Sequence, residues 1–105
     1  MTTTNFVRMR DDGSMTTEHE LKTWPEYYKA IRDGTKTFEL RYDDRGFKVG
    51  DTLLLREWHP LTKQYTGQDI RVVVTYIMDS PPIIMEHWVV MAIQRLGPIH
   101  EENDE

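Results

Sequence analysis

At 105 residues the chain has the length of one domain, and with 38% hydrophobic residues it can bury one modest core. The absence of cysteine excludes a disulfide framework, a thiolate metal site and a thiol nucleophile. No apolar run approaches the roughly 18 to 20 residues of a membrane helix, and no hydrophobic segment near the start reads as a secretory signal, so a cytoplasmic protein is expected. The net charge of −5 speaks against a broad phosphate-tracking surface. The distribution of charge narrows that exclusion. Four negative charges lie in residues 101–105, leaving −1 without them, and between Glu20 and Lys48 seven Lys/Arg stand against six Asp/Glu. A small, locally basic pocket fits these numbers.

Residues 1–17 are rich in Thr, Asp, Arg and Gly and read as a flexible N-terminal extension, with Phe6, Val7 and Met9 the one hint of an added edge strand. Residues 18–96 are expected to form the folded domain, and residues 97–105 an acidic, disordered tail. The domain opens with a short strand over residues 18–22. A helix is expected over residues 25–33. Pro25 suits its first turn, Thr23 is a candidate N-cap with Glu26 as the other half of a capping box, and Gly34 is placed to end it. Tyr28 and Ile31 make its apolar side, with Lys29, Arg32 and Asp33 in water.

The next strand, residues 37–42, alternates: Phe38, Leu40 and Tyr42 share one face, and Thr37, Glu39 and Arg41 the other. Lys36 sits at its mouth. An ammonium, a carboxylate and a guanidinium are thus held within about 15 Å on one rigid element. Such a set suits a polar, anionic or hydrogen-bonding ligand, although cross-strand charge pairing uses the same residues. Asp43-Asp44-Arg45-Gly46 is a turn by composition, and Val49-Gly50-Asp51 a second turn into a strand over residues 52–58. His59-Pro60 breaks that strand. Residues 62–67 read as a hairpin loop and residues 69–78 as a long strand, stopped by Pro81-Pro82. The last strand, residues 88–94, is apolar on both faces and belongs in the middle of a sheet or barrel. One early helix and five or six strands indicate an α+β fold, a small, mostly antiparallel β pseudobarrel with one N-terminal α-helix.

Several of these pieces together carry a resemblance. They are His19-Glu20-Leu21-Lys22, Gly34-x-Lys36-Thr37-Phe38-Glu39-x-Arg41, Asp44-Arg45-x-Phe47-x-Val49-Gly50-Asp51, Leu53-x-Leu55-Arg56-Glu57 and Trp88-Val89-Val90. Over about residues 18–95 the pattern resembles a small bacterial and phage family of the domain-of-unknown-function 3850 type, similar in turn to the activating-signal-cointegrator homology (ASCH) branch of the PUA-like superfamily. The resemblance implies a PUA-like pseudobarrel with a ligand cleft near the first helix, edged by the Lys/Glu/Arg strand. It also implies RNA binding or action on modified nucleosides. One branch removes the acyl group from acetylcytidine with a lysine, a threonine and a glutamate. Lys36 matches that lysine, but Glu39 stands at the threonine position, and only Asp79 and Glu86 are stand-ins for the glutamate.

Three functions follow as expectations. The first is an RNA- or nucleotide-binding module. In it Lys22, Lys36 and Arg41 hold a phosphate or carbonyl, Glu39 accepts from a base amino group, and Trp24 or Tyr27 stacks on an unstacked base; Thr37 completes the ligand-binding set. The second is an amidohydrolase with Lys36 and Glu39 as catalytic groups and Thr35 or Thr37 as the hydroxyl. The third is a phage or regulatory protein that acts by binding another protein. His19, His59, His87 and His100 show no paired ligand spacing, so no metal is expected, nor any other cofactor. His19 is expected to be a hydrogen-bonded structural residue.

Overall fold

Six strands and one helix follow one another as β1 (Asn5–Met9), β2 (Met15–Thr23), α1 (Pro25–Arg32), β3 (Phe38–Tyr42), β4 (Thr52–His59), β5 (Gln64–Met78) and β6 (Trp88–Arg95). This is a computed structural model, and it describes residues 5–9, 13, 15–79, 81 and 83–97. The strands form one mixed sheet in the order β1-β2-β4-β5-β6-β3. All neighbours are antiparallel except β2 and β4, which run parallel. Parallel neighbours need a crossover, and α1 and β3 lie within it.

The sheet curls into a half-barrel around the core. Leu53 and Leu55 of β4, Ile70, Val72 and Val74 of β5, and Val89, Met91 and Ile93 of β6 all point inward at alternate positions. Tyr28 and Ile31 of α1 close over them, each stabilising the fold by about 1.5–3 kcal/mol through burial. None of the described helix is long and apolar enough to cross a membrane.

Three local expectations change. The first strand begins at Met15, not at residue 18, because β1 pairs with it from Asn5↔His19 to Met9↔Met15; part of the expected flexible extension is therefore sheet edge. The second hairpin turns more tightly than a 62–67 loop. His59 pairs with Gln64, and Lys63 takes the left-handed φ of 58° that closes the turn. Third, Thr23 does not cap the helix. It is the last residue of β2, Trp24 occupies the N-cap, and no side chain bonds there. The C-terminus behaves as expected: the amides of Gly34 and Thr35 bond to the carbonyls of Ile31 and Ala30 at 3.1 and 3.0 Å, a Schellman motif that glycine permits at φ 85°. Residues 98–105 of the expected acidic tail lie outside the described residues.

Candidate functional site

Among the described residues, β1 covers one edge of β2 as far as His19. Beyond it, the gap toward β3 is bridged by side chains. Arg41 of β3 donates through Nη2 to the Lys22 carbonyl at 3.0 Å, and Arg45, in the turn after β3, donates through Nη1 to the Glu20 carbonyl at 2.8 Å. Asp43 shapes that turn by accepting the amides of Arg45, Gly46 and Phe47 at 3.3, 2.8 and 3.2 Å. Guanidinium groups thus close the half-barrel where a backbone ladder would otherwise run. A hollow of about 720 Å³ sits at this seam, beside the start of α1, within the usual range for a small-ligand site.

Glu39 anchors the hollow's polar wall. It is only 3% exposed, and its two carboxylate oxygens go to different cations. Oε1 accepts from Lys36 Nζ at 2.8 Å, and Oε2 from Arg41 Nε at 3.0 Å, with Arg41 Nη2 at 2.9 Å. Lys36 Nζ also donates to the Phe38 carbonyl at 2.6 Å. The three groups named from the sequence therefore do meet. Withdrawing a carboxylate from water is tolerable because both its oxygens are charge-paired.

Arg45 adds a third cation. Burial lowers its pKa from the ordinary arginine value, Asp44 offsets this, and the nearby Arg41 guanidinium lowers it further. A guanidinium stays charged regardless. Setting aside Lys22, which also lines the hollow but whose ammonium lies over Trp58, Lys36, Arg41 and Arg45 stand against Glu39 and Asp44, so the wall carries one surplus positive charge.

The aromatic rim is Trp24 and Tyr27, whose ring centroids lie 6.3 Å apart with planes 23° from parallel. Trp24 is 48% exposed, so it is not the buried staple that a Trp-Pro helix start usually supplies. Tyr42 and Trp88 meet edge to face at 5.8 Å on the opposite lip.

Other expected residues are placed differently. The Lys22 carbonyl serves the seam, but its ammonium lies 4.5 Å over the Trp58 ring, because residues 20 and 22 point to the outer face of β2. Thr37 falls just before β3 and is not among the residues lining the hollow; its carbonyl accepts the Ile93 amide at 3.1 Å. The Thr35 hydroxyl bonds to the Ala30 carbonyl, and neither Asp79 nor Glu86 lines the hollow. Thr23 does line it, and its buried hydroxyl has no hydrogen-bond partner among the described residues, which leaves a polar atom that a water or a ligand can satisfy. The sequence pattern does not single out Arg45, Tyr42 or Trp88 as lining residues. For Arg45 the available signal is Asp-x-x-Gly, an aspartate-capped turn that delivers the residue between. His19 is structural, with Nε2 2.8 Å from Asp51 Oδ2 and its ring against Phe47.

Comparison with known proteins places the chain in a lineage. Over 61 residues it is 34% identical to the "Uncharacterized 12.9 kDa protein in GpA 3'region" of Escherichia phage P2, covering 58% of this chain and 54% of that protein. The chain thus spans about half the length of the curated relative it matches. The model of the family described as "Domain of unknown function (DUF3850)" matches residues 18–93, from Glu18 in β2 to Ile93 in β6, and so takes in the seam and every residue of the hollow. The chain belongs to the DUF3850 family.

Proposed function

We propose that this domain is an RNA- or nucleotide-binding module of PUA-like type, with the seam hollow as its site. A curled half-barrel with its helix beside an open cleft supports the PUA-like reading. The observation that carries the functional reading is the pairing of an exposed Trp24–Tyr27 stack with a wall holding one surplus positive charge. Arg41, Arg45 and Lys36 take the phosphate through charge-assisted hydrogen bonds, and Trp24 stacks on the base. Glu39 is a positioning residue, since both its oxygens are engaged by Lys36 and Arg41.

That same engagement weighs against the amidohydrolase. Lys36 Nζ is held as a donor to Glu39 and the Phe38 carbonyl, and neither Thr35 nor Thr37 presents a hydroxyl to the hollow. The test is tryptophan fluorescence, with Trp24→Phe as the control for the other two tryptophans, titrated with cytidine monophosphate and a short single-stranded RNA, alongside cytidine release from acetylcytidine. Saturable quenching without release is the expected result. Release that disappears in Lys36→Ala establishes the hydrolase instead, and neither signal removes both readings.

A further inference from the structure

We propose that the outer face of β3, β6 and β5 is the interface of a symmetric homodimer. Strand register lays out that face in rows. Leu40 pairs with Val90, which pairs with Met78. Phe38 pairs with Ala92, which pairs with Tyr76, and Tyr42 pairs with Trp88. Every one of these side chains is uncharged and points away from the inward positions of its strand; Phe38, Leu40, Tyr42 and Trp88 also form one lip of the hollow, so the dimer covers that lip.

A half-buried sheet ordinarily turns polar residues outward. This end of the sheet does the reverse. Glu39 points in and is buried, while its neighbours Phe38 and Leu40 point out. The β5 bulge between Val74 and Tyr76 extends the inversion by shifting register, so that Tyr76 and Met78 join the outer face and Ile77 turns to the core.

Size decides whether the patch is sufficient for an interface. Phe38, Leu40, Tyr42, Tyr76 and Met78 are each between 40% and 66% exposed. At roughly 150–250 Å² for a large side chain they present about 500 Å². Two such faces remove about 1,000 Å² from water, the threshold for a specific interface, before Trp88, Val90 and Ala92 contribute. A sheet packing face to face on its own copy is a standard arrangement.

Charge decides the occupant. A two-fold contact sets a patch against its own image. The outward side chains carry no charge, and the Lys36 ammonium that lies 4.6 Å over the Phe38 ring is already held by Glu39, so the contact meets that condition with little like-charge repulsion. A polyanion requires cations interleaved along the aromatic groups, and beyond Lys36 at the Phe38 end of the face these strand positions supply none.

The test is sedimentation velocity of the full chain over a wide concentration range, with Tyr76→Lys/Met78→Lys as the variant. Neither position lines the hollow, and both are exposed, so folding is checked by an unchanged circular dichroism spectrum. Wild type is expected to sediment as twice 12.5 kDa, and the variant to self-associate about 100-fold more weakly, as lysines are driven against their own copies. A second measurement covers failure of the variant to fold. The chain has no cysteine, so mild oxidation of Met78→Cys should give a covalent dimer, and Leu61→Cys, on the exposed β4–β5 turn, should not. Monomeric wild type at all concentrations, a variant that dimerises as tightly, or equal crosslinking at both positions overturns the proposal. So does a monomer whose RNA affinity falls in the lysine variant, which assigns the face to nucleic acid.

Discussion

Asp51 and Glu39 are both carboxylates withdrawn from water, yet their surroundings set them to different work. Asp51 holds His19 at 2.8 Å and the Lys48 amide at 2.9 Å through one oxygen, in a turn that Gly50 makes possible at φ 97°. The Phe47 ring packs against that imidazole, and His19 is buried. Glu39 instead holds two cations whose far sides open on a hollow, with Arg45 close by and Trp24 at the rim. A closed pair ties strands together. An open cluster with charge to spare is equipped to meet a ligand. Burial of a carboxylate does not distinguish the two roles; the solvent side of its partners does.

Breaking the closed pair should have the largest effect on stability and none on recognition. Asp51→Ala leaves both His19 and the Lys48 amide short of an acceptor, and chemical denaturation should show a loss of about 2–3 kcal/mol. Affinity of the folded fraction for cytidine monophosphate should be unchanged; a variant as stable as wild type breaks the comparison from its structural side. Arg41→Ala should instead act on recognition, weakening RNA affinity by roughly 10- to 100-fold, the range of a charge-assisted hydrogen bond. It should also cost about 2 kcal/mol of stability, because it leaves Oε2 of the buried Glu39 without its cation, so affinity is read on the folded fraction. Trp24→Ala should cost about tenfold in affinity for want of a stacking partner, with melting temperature nearly constant because the ring is half exposed. Lys22→Ala should be the quietest in binding. Its ammonium is engaged with Trp58, so a titration indistinguishable from wild type is expected, along with at most about 0.5–1 kcal/mol lost in denaturation. A Lys22 effect as large as that of Arg41 would relocate the phosphate to the outer face of β2.

Much of this organisation is legible in the sequence, and what is not has physical causes. The period-two alternation of β3 correctly puts Glu39 and Arg41 on one face and Phe38, Leu40 and Tyr42 on the other. Alternation carries a period but no sign, and nothing local says that the charged face is the inner one. Trp88 to Ile93 read as apolar on both faces, and β6 does lie inside the sheet between β5 and β3, although its outer side remains open. The helix end is readable because Gly34 is a local signal. The helix start misleads, because Thr23 fits a capping pattern equally well when it closes a strand. Arg45 escapes notice because its role depends on the Glu20 carbonyl, 25 residues away in sequence, a separation no short motif records. A similar separation hides the meeting of Arg41 with Lys22.

Backbone amide NMR during titration with a short single-stranded RNA tests the central claim most directly, because it maps the open cluster and the closed pair in one experiment. The largest shifts are expected at residues 22–24 and 36–46, with residues 16–19 and 48–51 nearly still. Shifts concentrated around His19 and Asp51, or none along the seam at saturating RNA, would contradict the assignment of the hollow as the binding site.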